Sequence, residues 1–382
     1  MDEPRALRAS RSLRERILAR RDDTESQRRI APSIVDALAD AGLFRIALPR
    51  AHGGLEATPR DALDAYEELA DAEASVAWVV WNNALPAIVS RHLAPAVRRE
   101  VFSDPRLVTA NSTRPTGVAA PCEGGLRVRG RWSLVSGCEL AQTLFLRCVV
   151  VGADGSRSSP PELVIAIVPR ERCTIVDTWH VGGLRGTGSH DVIVENAVVP
   201  LERTISLGPP SGEAPIDRMP FAATLSAGCA AIALGIARGA RTALVELVRT
   251  KMPTDGTPPP REQPAVLARL ARLDADRSAA RLLLHAAADD AFRACVEGRA
   301  TTMEERASVW KAAIHAASVA RDVVRASYEL AGTAALYTDS PIERAHRDVH
   351  AVAQHVILSE LWLAEAGRVE LGAAPTTPMF VA

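Results

Sequence analysis

The apolar periodicity of this chain changes twice, and that change limits the available folds more than any single motif does. Between residues 5 and 99 apolar side chains recur at helical spacing, as in Ile34, Leu38, Ala41 and Leu43, then Leu63, Tyr66, Leu69 and Ala70, then Val76, Val79 and Val80. Each set gives a helix one dry face. From 107 to 199 the pattern becomes short runs of Val, Ile, Leu, Thr and Trp between Gly, Pro and Ser clusters, which predicts strands at 107–111, 126–135, 143–151, 163–168, 173–177 and 191–198. With no helix between them, these strands predict a compact antiparallel barrel or sandwich. From 215 the chain is Ala-rich and helical, broken at 252–260 (Pro253, Asp255, Gly256, Pro258, Pro259, Pro260) and again near 332–340. Four helices follow, at 215–251, 262–298, 302–331 and 341–371, enough for a bundle. The expectation is an α+β multidomain chain: an N-terminal helical domain (1–105), a middle β-barrel or sandwich (106–206) and a C-terminal four-helix bundle (207–382).

Composition excludes several partners. Lys and Arg total 45 against 46 Asp and Glu, so no basic excess exists to hold nucleic acid or an anionic membrane. The six cysteines (Cys122, Cys138, Cys148, Cys173, Cys229, Cys295) show no metal-ligand spacing and read as reduced, packed thiols. The first 29 residues are rich in Arg, Asp and Glu with no apolar core, so a secretory signal is not expected and a cytoplasmic location is. The uncharged stretch at 221–237 is short and weakly apolar for a membrane span, and its small residues favour a buried bundle helix.

Several stretches offer polar groups for chemistry. Residues 182–189, Gly-Gly-Leu-Arg-Gly-Thr-Gly-Ser, place backbone amides beside Arg185, Thr187 and Ser189. Such a turn can form an anion-binding nest, or it can need glycine only for steric reasons. It is not a dinucleotide fingerprint, because no helix pattern follows it, and the chain has no nicotinamide-binding motif. Ser136-Gly137-Cys138 ends the second strand, where a serine commonly bonds its own backbone. Trp78, Trp81, Asn82 and Asn83 share a helix and can form either core or pocket wall. His346, His350 and His355 do not make a zinc face, so no metal is expected.

The order of the three zones, with Asn111-Ser112-Thr113-Arg114-Pro115, residues 130–137, residues 176–192 and the stretch Arg347-Asp348 to His355, resembles the acyl-CoA dehydrogenase superfamily and especially its flavin-dependent monooxygenase branch, the two-component group D enzymes. The resemblance implies that Asn111, Ser112 and Thr113 form a flavin loop, with Arg114 replacing the usual acid, and that Ser136 and Gly137 hold flavin at N5. Many acyl-CoA dehydrogenases carry a Glu-Gly pair on the last helix, with the glutamate as base, while some take the base from the first bundle helix; here His355 and Val356 stand in the place of that pair. His355 is thereby the expected catalytic residue, with Ser136, and Trp78, Asn82, Arg185, Thr187 and Ser189 the expected substrate pocket. A second histidine, often found after the Ser-x-x-Trp segment, is missing between Ser75 and His92. Arg347 and Asp348 read as an ion pair that fixes the helix. The implied activity is oxygenation of a small organic substrate through a C4a-hydroperoxyflavin, using molecular oxygen and reduced flavin (FADH2 or FMNH2) from a separate flavin reductase, in a homotetramer. Two alternatives stand beside it: an FAD-dependent acyl-CoA or acyl-carrier dehydrogenase with Glu246 as base, and a non-catalytic flavin-fold scaffold.

Overall fold

A computed structural model describes residues 3–152, 154–210, 212–253 and 257–381. Asp255 and Gly256, two of the expected helix breakers, lie outside the described residues. The N-terminal zone folds as α1 (Arg5–Leu18), α2 (Arg21–Gln27), α3 (Pro32–Asp40), α4 (Pro59–Ala72), α5 (Ala74–Val89) and α6 (Pro95–Val101). Thr58 caps α4 by accepting from the Asp61 amide at 3.2 Å, and Pro59 opens its first turn, where no amide is needed. α5 is buried nearly all round because it lies between α4, the β-zone and the bundle.

The strands are β1 (Thr109–Cys122), β2 (Gly125–Val135), β3 (Thr143–Val150), β4 (Leu163–Pro169), β5 (Thr174–Val176), β6 (His190–Val199) and β7 (Thr204–Ile205). They form one sheet in the order β5-β6-β2-β1-β3-β4-β7, curled around a core that includes Val128, Trp132, Leu144, Ala166, Val168 and Val192. Neighbouring strands run antiparallel except β1 and β3, which are parallel, so the connection from β2 must cross the start of β1. That crossing begins at Ser136. β1 also runs past the predicted end at Asn111 to Cys122, through a register shift between Ser112 and Gly117. Gly117 has a steric purpose: a Cβ there would sit 1.9 Å from the Trp132 ring, which passes over β1 to donate to the Arg147 carbonyl at 2.8 Å.

The bundle comprises α7 (Phe221–Thr250), α8 (Pro264–Val296), α9 (Met303–Ala331), α10 (Pro341–Ala353) and α11 (Leu361–Glu370). α7 is long and apolar enough to cross a membrane, but it is mostly buried against α4, α9 and α10. The fourth predicted helix is not continuous. It stops at Ala353, His355 is extended (φ −67°, ψ 131°), and a short 3-10 turn, Val356–Leu358, precedes α11. Two bonds hold the break: the Ile357 amide donates to His355 Nδ1 at 3.3 Å, and the Trp362 indole donates to the Val356 carbonyl at 2.7 Å. Side chains thus satisfy backbone groups that a continuous helix would have paired internally.

Candidate active site

A cavity of about 650 Å³ lies where α5, the ends of β1 and β2, the 179–189 loop, the start of α7 and the α10 break converge. Its volume is within the ~300–1,000 Å³ typical of small-molecule and cofactor sites. Trp78 and Trp81 form one wall, their rings 4.8 Å apart, and Leu85, Phe221 and Leu225 extend it.

His355 stands edge-on to both indoles, at 5.5 Å from Trp78 and 5.6 Å from Trp81. Burial lowers its pKa to about 4, with the Arg114 charge adding to the effect, so the imidazole is neutral at physiological pH. Because Nδ1 accepts from the Ile357 amide, the single ring proton sits on Nε2.

Three further lining residues, Ser136, Thr187 and Ser189, carry hydroxyls. Pairing of Val135 with His190 across β2 and β6 sets the next residues, Ser136 and Ser189, opposite each other. Their oxygens are 2.7 Å apart; Ser189 Oγ is also 2.7 Å from Thr187 Oγ1, and Thr187 Oγ1 donates to the Leu184 carbonyl at 2.9 Å. The Trp78 indole donates to Ser136 Oγ at 3.0 Å.

The 182–184 wall is clamped from α10. The Leu184 amide donates to Asp348 Oδ1 at 2.6 Å, and Arg347 donates to the Gly182 carbonyl. Arg347 and Asp348 are therefore not paired with each other, contrary to expectation: Arg347 bonds Glu343 (2.7 Å) and Glu25 (2.8 Å). Burial, reinforced by the nearby Glu73 carboxylate, pushes the Asp348 carboxyl up to about 8.

Of the residues expected to act, Trp78, Asn82, Asn111, Ser112, Thr113, Ser136, Thr187, Ser189 and His355 all line the cavity. Arg185 does not; its guanidinium turns to Glu25 on α2, 3.5 Å from the carboxylate and 3.4 Å from the carbonyl. Gly137 lies just behind the wall, its amide donating to the Thr187 carbonyl at 2.8 Å. Asn83 is structural, accepting from the amide and hydroxyl of Thr109 at 2.7 and 2.9 Å and so tying α5 to β1. Glu246 is exposed on α7, bonded to Arg249 and away from the cavity. Among the described lining residues there is no Asp or Glu. His350 and Gln354 line the rim, which their sequence context did not signal. Cys138 is buried, its thiol pushed up to about 12, so it is no nucleophile.

The residues fit a flavin ring. β1 and β2 pair only from Val118 with Arg129 outward, and the Thr116 hydroxyl reaches the Arg131 carbonyl at 2.8 Å. Beyond that the strands separate, and 111–114 together with Ser133, Leu134 and Ser136 line the cavity between them. Leu134 there takes a left-handed backbone (φ 60°), which is costly for a bulky residue and is typical of ligand sites. Strand edges and hydroxyls beside a tryptophan wall suit a planar ring with one polar edge and one apolar edge.

Fold and site together define a flavin-type oxidoreductase with no carboxylate base among the described residues at its centre. The family model described as Acyl-CoA dehydrogenase, N-terminal domain, matches residues 2–103, and that described as Acyl-CoA dehydrogenase, C-terminal domain, matches 227–360. Indole-3-acetate monooxygenase of Pseudomonas putida is 27% identical, covering 94% of this chain and 91% of the relative. The oxygenase subunit HsaA of the Rhodococcus jostii flavin-dependent monooxygenase is 30% identical, covering 88% and 90%. The solved structure of XiaF from a Streptomyces species, in complex with FADH2 and glycerol, shares the fold with a TM-score of 0.92 at 24% identity, covering 98% of this chain and 96% of XiaF. The chain belongs to the acyl-CoA dehydrogenase superfamily, in its branch of flavin-dependent monooxygenases.

Proposed function

We propose that the cavity receives the ring of reduced flavin, delivered by a separate reductase, together with a small aromatic substrate. The observation that carries this reading is the neutral His355 at a cavity wall that, among the described residues, has no carboxylate. A dehydrogenase needs a base there, and Glu246 is too remote to be one. The apolar wall and the relatives' names support an aromatic substrate.

When bound, reduced flavin supplies the two electrons that activate molecular oxygen. The residues of this chain do the rest. Trp78 and Trp81 exclude water and hold apolar ring faces. Ser112, Thr113 and the separated strand edges bond the polar rim of the flavin, with Asn111 held in place by Asn82 through its side-chain amide (2.7 Å). His355 holds its proton at Nε2 and donates it as a hydrogen bond to an oxygen atom in the cavity; with Nδ1 committed to Ile357, it is a donor rather than a base. Residues 1–105, 106–206 and 207–382 act as the three domain units of this reading. Exposed Leu267, Leu282 and Leu283 on α8 support a homo-oligomer, with a tetramer as the expected form.

The test is His355→Ala. Reduced flavin should still bind, while product formation should fall about 100-fold, the scale of losing one positioned proton donor, with oxygen consumed as hydrogen peroxide instead. Unchanged product formation would remove His355 from the reaction.

A further inference from the structure

A second, smaller cavity of about 40 Å³ lies behind the tryptophan wall, among α4, α5, α7, α8 and α9. Trp81 and Leu225 line both cavities, so a single layer of side chains separates the two. The Trp81 indole is fixed in that layer, donating to the Leu225 carbonyl at 3.1 Å. Gly228 makes room for it: a Cβ there would lie 2.5 Å from Trp81 Cδ1 and 3.2 Å from Tyr66 Cε2. The small-residue stretch of α7 thus serves this partition as well as close helix packing.

The walls of the second cavity are almost wholly apolar. All of its lining residues except Ala62 and Thr224 are buried, and no charged residue is among the described ones. Thr224 commits its hydroxyl proton to the Pro220 carbonyl at 2.6 Å. That leaves the Tyr66 hydroxyl as the one side-chain donor without a partner among the described lining residues. An ordered water takes about two to four polar partners, whereas an apolar cavity stays dry and accepts an apolar guest such as xenon. Roughly 10–15 Å³ already holds one water-sized particle, so about 40 Å³ admits a diatomic gas.

We propose that this cavity binds a small apolar gas and stages molecular oxygen behind the Trp81 and Leu225 partition. A non-polar molecule is favoured out of water in such a void. Leu225 is the movable member of the partition, since its side chain makes no hydrogen bond while the indole is held. No bond is made or broken in the second cavity; the gas only collects there. The staging role rests on the reading that oxygen reacts in the first cavity, whereas gas binding does not depend on it.

Xenon is the probe for the site. Crystals of the full chain pressurised with xenon should show it among Tyr66, Ala227, Ala288 and Val309. An empty cavity, or an ordered water bonded to Tyr66 in its place, would overturn the gas site. In solution, protein in excess over reduced FMN, and in parallel over reduced FAD, is mixed with a series of oxygen concentrations to obtain the bimolecular rate constant of flavin reoxidation. Ala227→Leu and Ala288→Leu fill the second cavity from two helices, and neither residue lines the first. Each should remove the xenon site and lower that constant about tenfold, equivalent to about 1.4 kcal/mol on the barrier to oxygen arrival, with reduced flavin still bound. Xenon should lower the constant in the wild type too, so the staging is tested even if neither variant folds. A constant unchanged by xenon and by filling would overturn the staging. Failure of both reduced flavins to bind, with xenon still in place, would instead overturn the occupancy of the first cavity.

Discussion

Gly183→Ala is the sharpest test of why the glycine cluster has its composition. A Cβ at this position would lie 2.3 Å from the Arg347 carbonyl oxygen, 2.6 Å from its carbon and 3.0 Å from the Asp348 amide nitrogen. All three are backbone atoms of α10, so no side chain can rotate away and the wall must retreat. Overpacking of that kind costs about 1–3 kcal/mol, and stretching the 2.6 Å bond from the Leu184 amide to Asp348 adds about 1 kcal/mol. At roughly 2 °C per kcal/mol for a chain of this length, thermal unfolding should drop by about 4–8 °C. Gly182→Ala is the internal control, because a Cβ there meets nothing within 4 Å. Differential scanning of the two variants beside the parent measures the contrast, and reduced-flavin binding should weaken only in Gly183→Ala. If the two variants melt alike, the close approach of the 182–184 wall to α10 is not what the glycine serves.

Other outcomes can be checked with similar effort. Asp348 has its carboxyl raised by burial, so its contribution to stability is complete below the normal range near pH 4 and is lost as pH rises toward about 8. Asp348→Asn should therefore gain stability relative to the parent between about pH 5 and pH 8 in urea unfolding; a constant difference would refute the buried, protonated acid. Glu246→Gln, at an exposed position bonded to Arg249, should leave product formation unchanged. A loss there would restore the dehydrogenase base. Because His355 is neutral down to about pH 4, the rate profile should show no ionisation of this residue from about pH 5 upward, which a comparison with His355→Ala can isolate. Asp217→Ala should destabilise by about 3–5 kcal/mol, since it leaves the buried Arg98 guanidinium, now bonded at 2.8 Å through both nitrogens, without its partner.

Much of the site is readable without coordinates, for identifiable reasons. Trp78, Asn82, Asn111, Ser136, Ser189 and His355 sit at element ends or on one helix face, where local pattern and family resemblance both apply. Arg185 is misplaced by the sequence because its cation lies beside the glycines in the chain, yet the partner that claims it, Glu25, is far away in sequence. The pairing of Arg347 with Asp348 fails because neighbours on a helix point to different faces: Arg347 bonds Glu343 one turn away and Glu25 on α2, while Asp348 accepts from the Leu184 amide.

The sequence by itself determined the order of helical and strand zones and the small-residue core helix, because these depend on periodicity and residue type; family resemblance added the missing base on the last helix, and the steric need for Gly183 emerged only from its approach to the α10 backbone. Tertiary structure decided the rest. The break at His355 is invisible to periodicity, since Ile357, Leu358 and Trp362 continue the apolar pattern across it, and only the bond from the Ile357 amide places the ring proton on Nε2. The hydroxyl row likewise depends on β2 and β6 pairing in one register, which brings Ser136 and Ser189 together across 53 residues of chain. Hydrogen-bond direction is a property of which atoms meet, and that is set by long-range packing.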